Sequence, residues 1–317
     1  MKKVLSLLLS CGVVCTAVFA FSSCGNTEKN ITVVVREKGS GTREAFDTVV
    51  TDGTHYLEEK DASGKKVYNS TSKAVEQTKT GTVLSAVAAD KNAIGYISLG
   101  SVNDTIRVLK VNGVTPTEES VLNGTYKIQR PFVVMTNAAL TANNGLTPIT
   151  ADFLTYLKSA ASADAASSAG CIYLADPVKR ANAGSEPIPV ADFTKQATLP
   201  EGGKIVVRGS TSMEKFITAA AKAYAAVYGV SPESIFDIQL EGSSVGRKAA
   251  EQDTTGNVIG LSSAAVQQDN ISSFNVCLDA VAVIVNKDNT AITDLTLGQL
   301  YDIFSGKTEK FSQVSGN

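Results

Sequence analysis

The chain has 317 residues, enough for two domains of about 150 residues each, and 43% of its residues are hydrophobic. Its 29 Lys and Arg residues nearly balance its 31 Asp and Glu residues, which argues against a nucleic-acid-binding surface built on bulk positive charge. The chain has one histidine, His55, so a histidine metal site and a Ser-His-Asp hydrolase are both disfavoured. This composition favours a globular binding protein over an enzyme.

The N-terminal residues have the pattern of an export signal. Two lysines precede an apolar run at residues 4–21, which is followed by Ser22-Ser23-Cys24. A charged start, a short apolar run and small residues predict a cleaved signal peptide at residues 1–23 rather than a membrane-spanning helix. The end of this segment resembles a bacterial lipobox, which implies that Cys24 becomes the lipidated N-terminus and that residues 24–30 form a tether.

Two further cysteines, Cys171 and Cys277, remain once the signal peptide is removed. In an oxidising compartment they could form a disulfide. Two separately buried thiols are an equally consistent interpretation of the same residues. The sequence leaves both alternatives open.

From residue 31 onward, short apolar runs alternate with segments that have the spacing of amphipathic helices. Strands are predicted at residues 31–35, 93–97, 132–135, 205–207 and 281–285. Helices are predicted near residues 44–50, 83–88, 153–157, 213–227 and 296–306, and the Ala/Ser-rich stretch 160–169 is interpreted as a helix end and loop. This alternation predicts an α/β protein.

Three segments rich in Gly, Ser and Thr have the pattern of a short loop followed by a helix start: residues 36–42, 209–212 and 242–246. Glycine lets the backbone approach a ligand closely, and the N–H groups and hydroxyls at a helix start can donate to an anion. Each segment alone is more simply an N-capping turn. Three in one chain, one of them with the forked guanidinium of Arg36, favour an oxyanion-binding site. None has the Walker A spacing, so nucleotide binding is not supported.

The same segments carry a resemblance to a known family. Residues 35–46 (VREKGSGTREAF), Gly209-Ser210-Thr211-Ser212 and Gly242-Ser243-Ser244-Val245-Gly246 resemble the phosphate-binding proteins of ABC-type phosphate importers. The RxxGSGT run is the most specific part of this resemblance. Further matching segments extend it over most of the mature chain: residues 93–98, 130–132, 259–263 and 295–306.

The resemblance implies an α/β fold of the type II periplasmic-binding-protein class, which is a clamp of two lobes joined by two hinge-crossing strands. We expect the crossings near residues 132–135 and 280–284. One lobe would then combine residues 26–130 with residues 281–317. The other lobe would be the continuous segment 131–280.

The order of the segments departs from the family pattern. In the family the Gly-Ser-Thr segment comes first and RxxGSGT lies in the middle, whereas here RxxGSGT opens the mature chain and the Gly-Ser-Thr segment follows near Lys204. Joining residues 311–313 to residues 31–33 would restore the family order. We therefore predict a circular permutation, which proteins tolerate when the break lies in an exposed loop and the original termini are close together.

Position by position, the resemblance implies a shell of residues around phosphate. Arg36 would supply the charged fork. Hydroxyl and backbone donors would come from Ser40, Gly41, Thr42, Ser210, Thr211, Ser212 and Ser243. Ser263 stands where many members of the family have an Asp that accepts a proton of the phosphate, so repulsion of fully deprotonated anions is expected to be weak. Asp253 is the candidate for a carboxylate that would restore this repulsion.

These features predict an exported, lipid-anchored protein that captures inorganic phosphate and delivers it to the membrane permease of an ABC importer, with no cofactor, metal ion or nucleic acid. A general receptor for tetrahedral oxyanions and a phosphate sensor without transport are the alternatives among binding proteins. The alternative from another class is a hydrolase with Ser40 or Ser243 as nucleophile. It is disfavoured because the sequence offers only His55 as a base and no G-x-S-x-G motif.

Overall fold

The structure, a computed structural model, describes residues 28–173 and 193–314, so the predicted signal peptide and Cys24 lie outside the described residues. The described strands are β1 (Thr32–Arg36), β2 (Glu58–Lys60), β3 (Lys66–Tyr68), β4 (Val75–Gln77), β5 (Ala93–Ser98), β6 (Ile106–Val108), β7 (Lys110–Val111), β8 (Gln129–Asn137), β9 (Ile172–Tyr173), β10 (Ile205–Gly209), β11 (Phe236–Leu240), β12 (Val258–Ser262), β13 (Ile271–Asn286) and β14 (Asp294–Leu295). The described helices are α1 (Gly41–Asp47), α2 (Thr80–Ala89), α3 (Glu118–Leu122), α4 (Ala138–Ala142), α5 (Pro148–Lys158), α6 (Ala163–Ser168), α7 (Glu214–Tyr228), α8 (Pro232–Ile235), α9 (Ser243–Glu251) and α10 (Leu297–Ser305). None of these helices has the length and apolar character needed to cross a membrane.

One mixed sheet runs through the molecule, with the strand order β11-β10-β12-β8-β13-β5-β1-β4. The long strand β13 pairs antiparallel with β8 over its first part and with β5 over its second part. Parallel pairs lie on both sides of it: β10 with β11 and β12, and β1 with β4 and β5. β13 is therefore the strand that holds the two sides of the sheet together.

Each predicted ligand segment follows the carboxyl end of a parallel strand. β1 ends at Arg36 before α1, β10 ends at Gly209 before α7, and β11 ends at Leu240 before α9. Ligands of open α/β sheets bind at the carboxyl ends of the strands, because the loops and helix starts gather there. The topology thus gives the three segments the position that a binding site needs.

Two large hydrophobic cores pack against the sheet. The first contains buried side chains from residues 33–128 and 278–311, together with Ile172. The second contains buried side chains from residues 132–277. The change from one core to the other falls within β8 and β13, which supports the predicted hinge crossings. The exact lobe boundaries stay a prediction.

Two details of the predicted secondary structure are wrong. Residues 160–169 form a 3₁₀ helix and α6 rather than a helix end and loop, because alanine strongly favours helix and Ala165 and Ala166 are buried in the second core. The helix predicted near residues 44–50 ends at Asp47, and Val50 reaches the first core from the following turn.

The two cysteines among the described residues, Cys171 and Cys277, are free thiols in the structure. Cys277 is buried on β13 and shares a hydrogen bond with Cys171; burial and this bond raise the pKa of the Cys277 thiol. The structure therefore shows neighbouring reduced thiols, an arrangement between the two alternatives that the sequence left open.

The two ends of the described chain lie against each other. The backbone N–H of Ile31 donates to the carbonyl of Glu309 at 2.8 Å, and the N–H of Ser312 donates to the Glu28 carboxylate at 3.0 Å. The predicted permutation requires that the N- and C-terminal segments meet at the surface of one lobe. This contact supports it, and the permuted order itself stays a prediction.

Helix α1 is anchored by a buried ion pair. Asp47 is fully buried; its Oδ2 accepts from Arg43 Nε at 3.0 Å, whereas its Oδ1 has no hydrogen-bond partner among the described residues. Burial raises the pKa of Asp47 to about 6, and the charge of Arg43 opposes this shift. Arg43 Nη1 also donates to the backbone carbonyl of Arg36 at 2.7 Å, so the pair fixes α1 against the end of β1.

The permutation can be tested by changing where the chain opens. A linker from Asn317 to Asn30, with a new opening between residues 187 and 203, is expected to give a folded protein because Ile31 already contacts Glu309 and Glu28 already contacts Ser312. Cooperative thermal unfolding followed by circular dichroism is the measurement. The control is the same joined chain opened within β13, between Asn275 and Val276, which is expected not to fold. Equal loss of structure in both would contradict the prediction.

The buried Asp47 carboxyl predicts a pH-dependent stability. Between about pH 4 and pH 6 the folded protein keeps the Asp47 proton that the unfolded chain has lost, so this residue makes the protein less stable as the pH rises through that window. Asp47→Asn removes the effect. Relative to the parent, its free energy of unfolding should rise by about 2 kcal/mol from pH 4 to pH 7. Urea unfolding at both pH values measures this, and a pH-independent difference between the two proteins would contradict it.

Candidate functional site

The predicted ligand residues come together at one buried place where β1, β10 and β11 end. Their side chains are between 0 and 6% exposed, and the backbone of Gly41 is buried with them. The structure therefore brings together the complete predicted set, which consists of Arg36, Ser40, Gly41, Thr42, Ser210, Thr211, Ser212, Ser243 and Ser263.

Arg36 lies at the centre of this site. One edge of its guanidinium is held by Glu37, which accepts from Nε at 2.8 Å and from Nη2 at 2.9 Å. The other edge faces hydroxyls: Nη1 lies 3.4 Å from Thr42 Oγ1 and 3.3 Å from Thr80 Oγ1, and Nη2 lies 3.3 Å from Thr211 Oγ1. Glu37 thus orients the fork, and the hydroxyl edge is the one that faces the rest of the site.

A first cluster of hydroxyl side chains joins the two halves of the molecule around Arg36. Thr42 and Thr80 belong to the side of the first core, and Thr211 and Ser212 belong to the side of the second. Thr42 Oγ1 shares a hydrogen bond with Ser212 Oγ at 2.9 Å, and Thr80 Oγ1 lies 3.2 Å from Thr211 Oγ1 and 3.3 Å from Ser212 Oγ. These bonds cross between the two halves, so the site is closed.

A second cluster of hydroxyl side chains lies beside Gly41. Ser210 donates to Ser263 Oγ at 2.8 Å, and Ser243 Oγ lies 3.2 Å from the same atom. A Cβ atom added at Gly41 would lie 2.7 Å from the Oγ atoms of both Ser243 and Ser263. Only glycine allows the start of α1 to approach these hydroxyls.

Two of the serines also shape their own turns. Ser40 is the N-cap of α1 and accepts from the N–H groups of Thr42 at 3.2 Å and Arg43 at 3.5 Å. Ser210 accepts from the N–H of Ser212 at 3.3 Å. Each hydroxyl oxygen therefore caps a helix start and leaves its O–H free to donate elsewhere. The capping and the ligand interpretations of these segments are compatible.

A buried ion pair between β8 and β13 supports the site from behind Ser263. Arg130 on β8 donates to Asp279 on β13 at 2.9 Å, and both side chains are at most 1% exposed. Arg130 Nη1 lies 3.4 Å from the Ser263 carbonyl, and Ser98 donates to Asp279 at 2.9 Å. Burial raises the pKa of Asp279 and lowers that of Arg130, while their mutual attraction opposes both shifts.

Sequence reasoning missed Thr80 and the role of Glu37. Thr80 is buried, opens α2 after β4, and contacts Arg36, Thr211 and Ser212. Its signal was available, because Thr80-Gly81-Thr82 has the same small, hydroxyl-rich pattern at a helix start as the other ligand segments.

The prediction that Asp253 supplies a carboxylate to the site is wrong. Its side chain accepts from the N–H groups of Thr255 at 2.8 Å and Gly256 at 3.1 Å, and so it shapes the turn before β12. Ser263 follows the opposite end of β12, about 15 Å away at the usual rise of a strand. The carboxyl group is used by its own turn because Asp readily accepts from N–H groups two or three residues ahead.

The chemistry of this site is that of a donor shell. Its guanidinium and hydroxyls can donate to the oxygens of an anion. Ser243 Oγ accepts from the Ser263 N–H at 3.0 Å, and His55 lies on an exposed loop facing Asp52 at 3.7 Å. The hydrolase alternative therefore gains no nucleophile–base pair from the described residues. Nor do the described residues contain a group of three or more His, Cys, Asp or Glu side chains suited to a metal ion.

Comparisons with known proteins agree with this geometry. The sequence profile of the PBP superfamily domain matches residues 22–161 and 194–317. Phosphate-binding protein PstS 2 of Streptococcus pneumoniae serotype 4 (strain TIGR4) is 33% identical over 307 residues, covering 93% of this chain and 94% of the relative. The PstS 2 protein of Streptococcus agalactiae serotype V is 31% identical over 320 residues, covering 99% and 98%.

A solved structure is also similar. The crystal structure of a phosphate-binding protein of a phosphate ABC transporter from Streptococcus pneumoniae TIGR4 has a TM-score of 0.63 and 32% identity. The match covers 90% of this chain and all of the other. The predicted α/β fold of the periplasmic-binding-protein class is confirmed, and the chain belongs to the PBP superfamily and, within it, to the PstS-like family of phosphate-binding proteins.

Proposed function

We propose that this protein captures inorganic phosphate at the Arg36 site and delivers it to the membrane permease of an ABC-type importer. The observation that carries the proposal is the meeting of one buried guanidinium with hydroxyls from both halves of the molecule. A tetrahedral anion offers four oxygens in different directions, and donors that converge from two sides match this geometry. The phosphate-binding relatives support the same function.

The phosphate oxygens would replace the hydroxyl–hydroxyl bonds of the closed site. Arg36 would donate from its hydroxyl edge, with Thr42 and Thr80 on one side and Thr211 and Ser212 on the other. The second cluster of hydroxyls (Ser210, Ser243 and Ser263) and the N–H groups at the start of α1 would complete the shell. Closure excludes water, which strengthens each charged hydrogen bond, and no covalent bond is broken.

Capture and release would follow from opening and closing of two lobes, residues 26–130 plus 281–317 and residues 131–280. The position of the two cores on either side of the crossings in β8 and β13 supports this division. Export with a signal peptide at residues 1–23 and a lipid anchor at Cys24 would hold the protein next to the permease. The lipobox-like sequence supports the anchor.

The first test removes the charged fork. Arg36→Ala should weaken phosphate binding by about 30-fold to several thousand-fold, because losing one partner of a buried charged contact costs about 2–5 kcal/mol. Isothermal titration calorimetry with phosphate on residues 28–317 measures it. Arg208→Ala is the matched control, since Arg208 lies one residue before Gly209 but pairs with Asp237 at 2.7 Å and makes none of the contacts of the site. Unchanged affinity of Arg36→Ala would contradict the assignment.

The second test concerns anion selectivity. Ser263 is neutral and, among the residues that the structure describes, its hydroxyl partners are Ser210 and Ser243 rather than a carboxylate, so selection of phosphate over sulfate should be modest. Ser263→Asp should increase it, because a carboxylate accepts the proton of phosphate and repels sulfate, which has none. Competition of sulfate against bound phosphate is the measurement, with Asp253→Asn as a control that leaves selectivity unchanged. Equal displacement of phosphate by sulfate in the parent would instead favour a general receptor for tetrahedral oxyanions.

A further inference from the structure

A second buried group of ionisable side chains adjoins Arg36 through its backbone, and the proposed ligand shell does not use it. Its centre is the Arg43–Asp47 pair of α1. We propose that this pair positions Arg36 for the bound anion and that the charge on Asp47 makes the affinity for the anion depend on pH. The proposal rests on the proposed function, since it concerns the same phosphate site.

The positioning acts on the backbone of Arg36. Arg43 Nη1 donates to the Arg36 carbonyl at 2.7 Å, and the Arg36 N–H donates to the hydroxyl of Tyr96 at 3.2 Å. Arg43 is itself held by Asp47 at 3.0 Å and by its packing over the ring of Tyr68 at 4.7 Å. Both polar groups of the Arg36 backbone are therefore fixed by buried side chains that do not face the ligand. Arg43 and Asp47 are positioning residues, not ligands.

The charge on this cluster is set by Asp47. The ionisable groups that act on it are Arg43 on its own helix, Glu58 on β2, Lys66 and Tyr68 on β3, and Tyr96 on β5. Glu76 on β4 acts on the pair through Arg43, whose Nη1 lies 3.3 Å from the Glu76 carboxylate, but the Glu76 side chain is 51% exposed. Lys66 is already paired with Glu58 at 2.7 Å and with Glu44 at 3.4 Å, which leaves Arg43 as the close partner of Asp47.

When Asp47 is ionised, the Arg43–Asp47 pair has no net charge. When Asp47 takes up a proton, the pair carries one positive charge next to Arg36. Burial raises the pKa of Asp47 to about 6, so this change of charge is centred near pH 6.

An anion bound to Arg36 is attracted more strongly by the charged pair than by the neutral one. The affinity for the anion is therefore higher when Asp47 is protonated. One additional unit charge, acting through the protein interior, changes this affinity by about 3- to 10-fold. The coupling is reciprocal, so the bound anion raises the pKa of Asp47 further.

The experiment measures phosphate affinity by calorimetry from about pH 5 to about pH 7.5 for the parent, Asp47→Asn and Glu44→Gln. The ratio of each variant's affinity to that of the parent cancels the titration of phosphate itself. Glu44 is the matched control because it loses a carboxylate on the same helix, but its side chain is 31% exposed and screened by solvent. A third variant, Arg43→Lys, keeps the charge and removes the fork that reaches the Arg36 carbonyl.

Asp47→Asn is expected to match the parent near pH 5 and to bind phosphate about 3- to 10-fold more tightly near pH 7.5, whereas the Glu44→Gln ratio stays constant. Arg43→Lys is expected to bind about 10-fold more weakly at every pH, because the backbone of Arg36 is no longer held. A constant ratio for Asp47→Asn, weaker binding by it near pH 7.5, or full affinity of Arg43→Lys overturns the inference. Absence of phosphate binding by the parent at any pH overturns the proposed function, and this inference with it.

Discussion

The buried charge of Arg36 is the constraint on which the rest of the structure depends. A guanidinium that is 2% exposed must have hydrogen-bond acceptors around it, because an unpaired charge in a protein interior costs several kcal/mol. Glu37 accepts at one edge, and hydroxyls of Thr42, Thr80 and Thr211 lie at the other. Since Thr211 comes from the opposite half of the molecule, the environment of Arg36 is complete only when the two halves are closed.

Hydroxyl groups suit such a site because each can donate or accept. Around Arg36 they bond to one another, and the same groups can turn their O–H bonds toward an anion that replaces these contacts. Close backbone approach, both between the two halves and within the second half, adds a steric requirement. At Gly41 an added Cβ would lie 2.6 Å from the carbonyl carbon of Ser263, and at Gly209, where φ is +141°, it would lie 2.2 Å from the Leu261 carbonyl oxygen. Glycine at these positions lets the hydroxyls converge.

Strands β8 and β13 connect this site to the two cores. Arg130 and Asp279 lie opposite each other in the register of β8 and β13, where the two cores change over. Their ion pair is buried, and Arg130 also reaches the carbonyl of Ser263. One side-chain network therefore joins the strands that cross between the halves to a residue of the proposed ligand shell.

The sequence by itself determined the α/β class and predicted most of the residues that meet in the candidate site. Arg36 and the three Gly/Ser/Thr segments were recognisable because helix capping, close backbone approach and anion binding all need the same small, hydroxyl-bearing residues at a helix start. The alternation of strands and helices could also be predicted from the sequence, except at residues 160–169, which are helical in the structure and pack into the second core.

The tertiary structure alone decided which of these groups share one space. Thr80, at the start of α2 after β4, lies in the site. Asp253 lies outside it, because its carboxylate accepts from N–H groups of its own turn. The tertiary structure also placed the Asp47 carboxyl in the interior: the i,i+4 spacing on α1 indicates its pairing with Arg43, but no local pattern indicates its burial. The physical reason is that spacing along the chain fixes the conformation of a segment and the type of group it offers. Distances between segments, and the loss of water that shifts a pKa, exist only after the strands have paired and the two halves have closed.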